Sequence, residues 1–197
     1  MKPQAESVLD LFRAAGAYLE GHFLLTSGLH SAEYLQSALV LQHPAAAESL
    51  GRLLAQELRT QVHEPVAVVA SPALGGLIIG HEVARALGAR FIFTERDAAT
   101  RKMVLRRGFT VKPGETAVVV EDVITTGGST VDVVGVLNAA GAQVLAAASI
   151  IDRSGGRADV GIPRVALATL QVAAHDPQEC PLCARGIPVA KPGSRPA

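Results

Sequence analysis

The 197-residue sequence contains only two cysteines, Cys180 and Cys183, which excludes the disulfide framework of a small secreted protein. Its 18 basic and 18 acidic residues give a formal net charge of zero, so no global charge favours nucleic acid or a membrane surface. Long apolar runs are also missing, because a stretch such as VLAAASII at 144–151 is too short to cross a bilayer. The N-terminal segment has scattered acids and no uninterrupted apolar core of a signal peptide. We therefore expect a soluble, cytoplasmic protein with no nucleic-acid or membrane partner.

The middle of the chain alternates short β-branched apolar runs with segments of helical periodicity. Helices are predicted at 44–61, 76–88 and 129–141, and strands at 65–70, 89–94, 116–121 and 142–152. Such alternation is typical of a parallel sheet whose crossovers are helices, buried on both faces. The sequence predicts one α/β domain with a core at about 44–172. Residues 1–43 and 173–197 lie outside the alternation, and the end, GIPVAKPGSRPA, is predicted to be a loosely ordered tail.

The segment VVVEDVITTGGST, residues 118–130, joins a valine strand to a predicted helix through two acids and two glycines. Ligands of open parallel sheets bind beyond the carboxyl ends of the strands, where this segment lies. Gly127 and Gly128 allow left-handed backbone and close approach, and a helix that begins at about Ser129 offers amides and a favourable dipole to an anion. The segment therefore predicts a phosphate-binding loop. It is not a nucleotide P-loop, since no lysine follows the glycines.

The acids Glu121 and Asp122 suggest which phosphate this loop binds. Carboxylates accept hydrogen bonds from vicinal hydroxyls, as they do from the ribose of dinucleotides. Carboxylates that can bind a diol lie beside backbone amides that can bind a phosphate. This combination matches a ribose 5-phosphate. The alternative is that both acids only cap the turn that follows them.

This segment resembles the phosphoribosyl diphosphate (PRPP) motif of the type I phosphoribosyltransferases, and all thirteen residues conform to it. Two further segments are similar to those of the orotate phosphoribosyltransferases of this family. FLLTSGLHSAEYLQS at 23–37 resembles their hood segment, and IIDRSGG at 150–156 resembles their Asp-Arg after the next strand. The resemblance implies a parallel-sheet core flanked by helices, with a small hood at about 1–43 and a C-terminal contribution to the hood as an open alternative. It implies transfer of ribose 5-phosphate from PRPP to orotate, in pyrimidine (UMP) biosynthesis.

The resemblance also assigns candidate site residues. SPALGG at 71–76 resembles the family's pyrophosphate loop. The implied PRPP-binding residues are Glu121, Asp122, Thr125, Thr126, Gly127, Gly128, Ser129, Arg96, Lys102, Ala73, Leu74 and Gly75. The implied orotate-binding residues are Thr125, Arg153, Ser27 and Gly28, with the Arg153 guanidinium suited to the orotate carboxylate. Many relatives have a lysine where this chain has Thr26, so the way the hood holds its substrate stays open.

Residues 95–107 correspond to the family's mobile catalytic loop, which usually reaches the neighbouring subunit's site. The resemblance therefore implies a homodimer. Arg101 and Lys102 are the candidate catalytic bases together with Asp122, whereas Arg106 and Arg107 have a solvated charge run as their alternative. Magnesium is the expected cofactor, held mainly through PRPP, and no protein ligand is assigned to it.

Two other functions remain open, as does the role of the cysteine pair. An adenine-type phosphoribosyltransferase would share the phosphate loop, and a non-catalytic PRPP-sensing regulator would need a basic DNA-binding region. Residues 1–43 have two formal cations, Lys2 and Arg13, against four acids. CPLC at 180–183 could form half a zinc site or a redox pair, but no second CxxC or His-x-His follows it. An incidental feature of the tail is the favoured interpretation, with zinc shared across a dimer as the alternative.

Overall fold

A computed structural model describes residues 3–25 and 27–192. Its core is a six-stranded sheet in the order β5-β4-β3-β6-β7-β8. The strands are β3 (Val68–Pro72), β4 (Arg90–Arg96), β5 (Met103–Leu105), β6 (Thr116–Ile124), β7 (Gln143–Asp152) and β8 (Arg164–Thr169). All neighbours are parallel except β5, which pairs antiparallel with β4 at one edge. The predicted α/β class and central parallel sheet are confirmed.

Helices cover both faces of this sheet, because successive strand side chains point to opposite sides. The helices are α1 (Pro3–Ala14), α2 (Ser37–Leu41), α3 (Pro44–Gln61), α4 (Gly76–Leu87) and α5 (Gly128–Ala139). Val118 and Val120 pack into one apolar cluster with residues of α1, α3 and α4. Val119 packs on the other face with residues of α5. Within the described ranges, every helix is too short or too polar to span a membrane.

A second, three-stranded sheet forms the hood. It contains β1 (Tyr18–Leu24), β2 (His30–Leu35) and β9 (Ala174–His175), in the order β1-β2-β9. The C-terminal segment therefore contributes a strand to the hood. Helix α1 belongs instead to the core, since its Val8 and Phe12 are buried in the same cluster as the central strands.

The C-terminal segment is more ordered than the sequence predicts. After β9 come a 3-10 turn (Pro177–Glu179) and α6 (Pro181–Ala184). Ala190 then exchanges two backbone hydrogen bonds with β1, from Leu24 N–H and to His22 C=O, both at 2.8 Å. The predicted loose tail is therefore wrong for residues up to Ala190, because backbone pairing fixes them against the hood. Residues 193–197 lie outside the described ranges.

Candidate active site

The turn between β6 and α5 has the backbone of an anion-binding loop. Gly127 has φ +82°, and a Cβ placed there would lie 2.8 Å from Val160 Cγ1, so both conformation and space require glycine. Gly128 has an ordinary φ and is the first residue of α5. Of the two glycines, which both allow left-handed backbone, Gly127 adopts it and Gly128 does not. The helix begins one residue earlier than predicted because Gly127 itself caps it.

The first turn of α5 presents unpaired donors to the cavity above it. The earliest intrahelical bond of this turn runs from Val131 N–H to Gly127 C=O, at 2.9 Å. The preceding amides of the helix have no intrahelical acceptor, and the helix dipole favours an anion there. The hydroxyl residues Thr125, Thr126 and Ser129 line a cavity of about 570 Å³ at this position. The loop can therefore hold a phosphate through backbone amides and side-chain hydroxyls.

The two acids of the motif point to opposite faces of β6, as neighbours on a strand do. Glu121 lies toward α5, where its Oε2 accepts a hydrogen bond from Thr130 Oγ1 at 2.5 Å. Burial raises the pKa of Glu121 from 4.5 to about 7. Asp122 instead lines the cavity, and burial also raises its pKa. Asp122 is thus the acid that the motif supplies to the cavity, whereas Glu121 supports the first turn of α5.

The turn after β3 lies directly against Asp122. A Cβ at Gly75 would come within 2.6 Å of Asp122 Oδ1, so only glycine lets the backbone approach the carboxylate this closely. The peptide between Ala73 and Leu74 is cis, and Leu74 is 82% exposed. Leu74, Gly75 and Asp122 line a further cavity of about 410 Å³. The structure therefore places the SPALGG turn and the acid at one site.

Arg153 follows β7 and lines the same cavity as the phosphate loop. Its N–H donates to Ile124 C=O at 2.8 Å, which ties it to the end of β6. The buried carboxylate of Asp152 shapes this turn by accepting from Ser154 N–H at 2.7 Å and Ser154 Oγ at 2.6 Å. Arg153 lines the 570 Å³ cavity and an adjoining one of about 770 Å³. The backbone after β7 thus holds a guanidinium at the junction of two cavities.

The guanidinium of Arg153 is desolvated and lacks an acidic partner. Burial lowers its pKa, and Tyr34 and Glu33 counteract this only through longer-range electrostatics. Within residues 3–25 and 27–192 no carboxylate forms an ion pair with it, and its buried Nε has no hydrogen-bond acceptor. A buried cation without a partner is costly unless a ligand supplies the counter-charge. An anionic group in the cavity would satisfy it.

The hood turn closes the cavity above Arg153. Leu25 and Ser27 line both the 570 Å³ and the 770 Å³ cavities. Gly28 has φ +85° within the same turn, but it lines neither cavity. Thr26 lies outside the described residues. Sequence reasoning missed Tyr34 of β2, which lines the cavity between Asp122 and Arg153 and has its pKa raised by burial.

Residues 95–107 form an antiparallel hairpin of β4 and β5. Asp97 fixes its turn by accepting from the N–H groups of Ala99 at 3.1 Å and Thr100 at 2.8 Å. Arg106 pairs with Asp97, and Arg107 pairs with Glu95. Both arginines are exposed and each has an acidic partner across the hairpin, so the alternative of a solvated charge run fits these two residues.

The cations of this hairpin divide into two positions. Arg96 faces the phosphate loop, where it pairs with Asp132 at 3.1 Å and approaches Ser129 Oγ at 3.5 Å. Arg101 and Lys102 lie exposed at the turn. Neither residue lines any of the three cavities that Asp122 or Arg153 lines. Of the predicted cations in this segment, only Arg96 meets the site of its own chain.

Comparison with known proteins agrees with this geometry. The sequence model of one protein family, the phosphoribosyl transferase domain, matches residues 37–180 of this chain. The chain belongs to the phosphoribosyl transferase family. This phosphoribosyl transferase is 54% identical over 190 residues to the orotate phosphoribosyltransferase of Heliobacterium modesticaldum, covering 96% of this chain and 98% of the relative. It is 48% identical to that of Desulforamulus reducens, covering 96% and 97%.

Solved structures show the same fold. The crystal structure of orotate phosphoribosyltransferase from Aeropyrum pernix matches this phosphoribosyl transferase with a TM-score of 0.66 and 27% identity. The match covers 83% of this chain and 94% of the other. The fold expected from the resemblance of the motif is confirmed.

Proposed function

We propose that the protein transfers the ribose 5-phosphate of PRPP to orotate, which yields orotidine 5'-monophosphate and pyrophosphate. The observation that carries this substrate choice is Arg153, a half-buried guanidinium that lines the same cavity as the phosphate loop and has no acidic partner among residues 3–25 and 27–192. Orotate differs from other pyrimidine bases in its carboxylate, and a guanidinium binds a carboxylate through two parallel hydrogen bonds. The names of the similar proteins support the same choice.

The site accommodates the parts of PRPP in order. The 5-phosphate fits the amides and hydroxyls of residues 125–129, and the ribose hydroxyls fit the carboxylate of Asp122. The pyrophosphate fits the backbone of the Ala73–Gly75 turn, which lies against that same carboxylate. The base then lies between Arg153 and the hood turn at Ser27. The anomeric carbon is thereby placed between the leaving group and the attacking nitrogen.

Charge development explains why these groups are combined. When pyrophosphate leaves, positive charge builds on the ribose ring, and a carboxylate at Asp122 stabilises it electrostatically. Binding both substrates in one cavity contributes orientation, and the hood excludes competing water. The oxygen donors of Asp122 and of PRPP itself fit magnesium, which when bound neutralises the leaving pyrophosphate. Arg96 adds a cation beside the phosphate loop.

The remaining cations suit a dimer. Arg101 and Lys102 lie at an exposed hairpin turn, outside the cavities of their own chain. A twofold dimer would allow each turn to reach the partner's site, where the two cations stabilise the leaving pyrophosphate. The proposed active form is therefore a homodimer with composite sites.

A base panel tests the proposed reaction. The protein is incubated with PRPP, magnesium and orotate, uracil or adenine, and the consumption of each base and the release of pyrophosphate are recorded. We expect orotate alone to be consumed, since uracil leaves the Arg153 cation unpaired. Consumption of adenine instead would favour the purine alternative. Binding of PRPP without consumption of any base would favour a regulator.

A further inference from the structure

Four potential metal ligands from distant parts of the sequence meet beside the hood. The ring nitrogens His22 Nε2 and His30 Nδ1 and the sulfurs of Cys180 and Cys183 all lie within 4.8 Å of one another. The histidines come from β1 and β2, Cys180 is the N-cap of α6, and Cys183 lies within α6. The sequence offers no second ligand pair after Cys183, but the fold brings one from the hairpin that precedes the core.

Three nitrogen–sulfur distances are close to the edges of a tetrahedron around one ion, whereas the two ring nitrogens lie closer together and would have to separate by about 0.5 Å. With metal bonds of about 2.3 Å to sulfur and about 2.0 Å to nitrogen, nitrogen–sulfur edges of about 3.5 Å and a nitrogen–nitrogen edge of about 3.3 Å are expected. The observed nitrogen–sulfur distances are 3.3 Å for His30 to Cys183, 3.6 Å for His22 to Cys180 and 3.8 Å for His22 to Cys183. The two ring nitrogens are 2.8 Å apart.

The other nitrogen of His22 is held as a metal ligand requires. His22 Nδ1 lies 2.7 Å from Ile187 C=O, and a carbonyl can only accept, so Nδ1 carries the proton. The lone pair is then on Nε2, the atom that faces the cysteines. A backbone carbonyl that fixes the tautomer in this way is the usual outer partner of a metal-bound histidine. Backbone pairing of the C-terminal segment with β1 therefore preorganises the ligand.

A hydrogen bond between the two histidines is the simpler explanation, but it leaves the sulfurs unexplained. Such a bond accounts for one edge of the four-ligand cluster, the contact between His22 and His30. Cys183 Sγ nevertheless contacts both of these nitrogens, and Cys180 Sγ contacts His22 Nε2. His22, His30 and Cys180 are buried, and a cation at the point where the four ligand atoms meet would bind all of them at once. Both cysteines are free thiols.

We propose that the protein binds one Zn²⁺ through His22, His30, Cys180 and Cys183. Two thiolates and two imidazoles in a tetrahedral arrangement suit zinc, whereas magnesium and calcium take oxygen ligands. Four protein ligands leave no open position, so the ion is structural rather than catalytic. It is bound within a single chain, in contrast to zinc shared across a dimer.

The zinc fixes the hood to the C-terminal segment. His22 and His30 lie on either side of the turn that carries Leu25 and Ser27, and this turn covers the base side of the cavity. Cys180 and Cys183 anchor the chain beyond β9 to the same point. The hood sheet is small, and metal ligation compensates for its limited apolar core. Loss of zinc should therefore loosen the hood more than the central sheet.

Metal analysis of the purified full-length protein tests the proposal. Protein produced with zinc in the medium should contain about one zinc per chain by elemental mass spectrometry. The variants Cys183→Ser and His30→Gln should each lose most of it. His175→Gln is the matched control, since His175 pairs with His30 across the same sheet but is not one of the four ligands, and it should keep its zinc. Equal zinc in all four proteins would overturn the assignment.

Cobalt substitution tests the ligand set without any variant. Protein stripped with a chelator under reducing conditions and then given Co²⁺ should show thiolate-to-cobalt charge-transfer bands and the strong visible bands of tetrahedral cobalt. The bands should saturate at about one equivalent and disappear when Zn²⁺ is added. Absence of these bands, or a Cys180–Cys183 disulfide in protein purified without reductant, would overturn the proposal.

Discussion

At the scale of single residues, Arg153 separates base recognition from PRPP binding. Arg153→Ala should raise the KM for orotate or lower its turnover by about 100-fold or more, because a charge-assisted hydrogen-bond pair is lost. PRPP affinity should change little, since the phosphate loop is a separate segment. Steady-state kinetics and PRPP binding by calorimetry measure the two effects.

The control for this variant is Arg157→Ala. Arg157 lines the 770 Å³ cavity but is exposed and donates to Ser154 C=O at 2.9 Å, so its removal should have a small effect on orotate. A parallel loss of PRPP affinity and orotate turnover in Arg153→Ala would instead place Arg153 on the phosphate side.

Glu121 should make stability depend on pH near neutrality. Its pKa is raised by burial from 4.5 to about 7, so the folded protein holds a proton that the unfolded chain has released between these values. The resulting stabilisation is complete below about pH 4.5 and is lost as pH rises through about 7. Relative to Glu121→Gln, the wild type should lose at most about 3 kcal/mol of unfolding free energy between about pH 5 and pH 8. Urea unfolding at both pH values measures this.

Glu115→Gln serves as the comparison for that experiment. Hydrogen bonding to Arg90 lowers the pKa of Glu115, so this group is ionised in both states across the range. Its substitution should change stability equally at about pH 5 and about pH 8. A wild type and Glu121→Gln with the same pH slope would show that Glu121 is ionised in the folded protein.

Among the secondary-structure elements, the β4–β5 hairpin is an exposed edge of the central sheet. Its turn carries Arg101 and Lys102, the two cations that lie outside the cavities of their own chain. Only three residues, Met103–Leu105, form β5, and the turn between the strands is exposed. Short edge elements open locally more easily than a central sheet. The hairpin is therefore suited to move over a bound substrate while its base stays anchored to β4.

Limited trypsin digestion tests this movement. Trypsin should cut the free protein after Arg101 or Lys102, and it should cut much more slowly when PRPP and a non-reactive orotate analogue are bound together. The sites of cleavage are read by mass spectrometry. Protection by PRPP alone would indicate that the base is not needed for closure, and equal rates in all states would contradict closure.

At the scale of the whole molecule, the proposed composite site predicts complementation. Asp122→Asn removes the acid of a chain's own cavity, and Arg101→Ala/Lys102→Ala removes the cations offered to the partner. Each variant alone should be nearly inactive. Unfolding and refolding them together in equal amounts should restore about a quarter of wild-type activity, because half of the dimers are mixed and each has one complete site.

The two variants refolded separately and then combined only for the assay are the control. No recovery in the co-refolded sample, with normal dimers by light scattering, would show that each turn serves its own chain. A monomer at assay concentrations would contradict the composite site altogether.

The layered core and the phosphate loop could be predicted from the sequence, because both depend on local patterns. Alternation of β-branched runs with helical periodicity predicted the parallel strands, and helix α3 has the predicted bounds, Pro44–Gln61. The left-handed conformation of Gly127 is also local, since it belongs to a turn between one strand and the next helix, whereas the close approach of Val160 to this residue depends on the tertiary fold. Even here, the different orientations of Glu121 and Asp122 depend on how β6 is buried on its two faces.

Which distant residues share a site could be read only from the folded chain. Tyr34 lies in the segment that resembles the hood, but only the fold shows that this side chain lines the cavity. The cysteines of CPLC lie about 150 residues from His30, a separation across which spacing rules carry no information. Their meeting depends on β9 pairing with β2 and on Ala190 pairing with β1. Long-range backbone pairing, rather than any local motif, assembled the proposed zinc site.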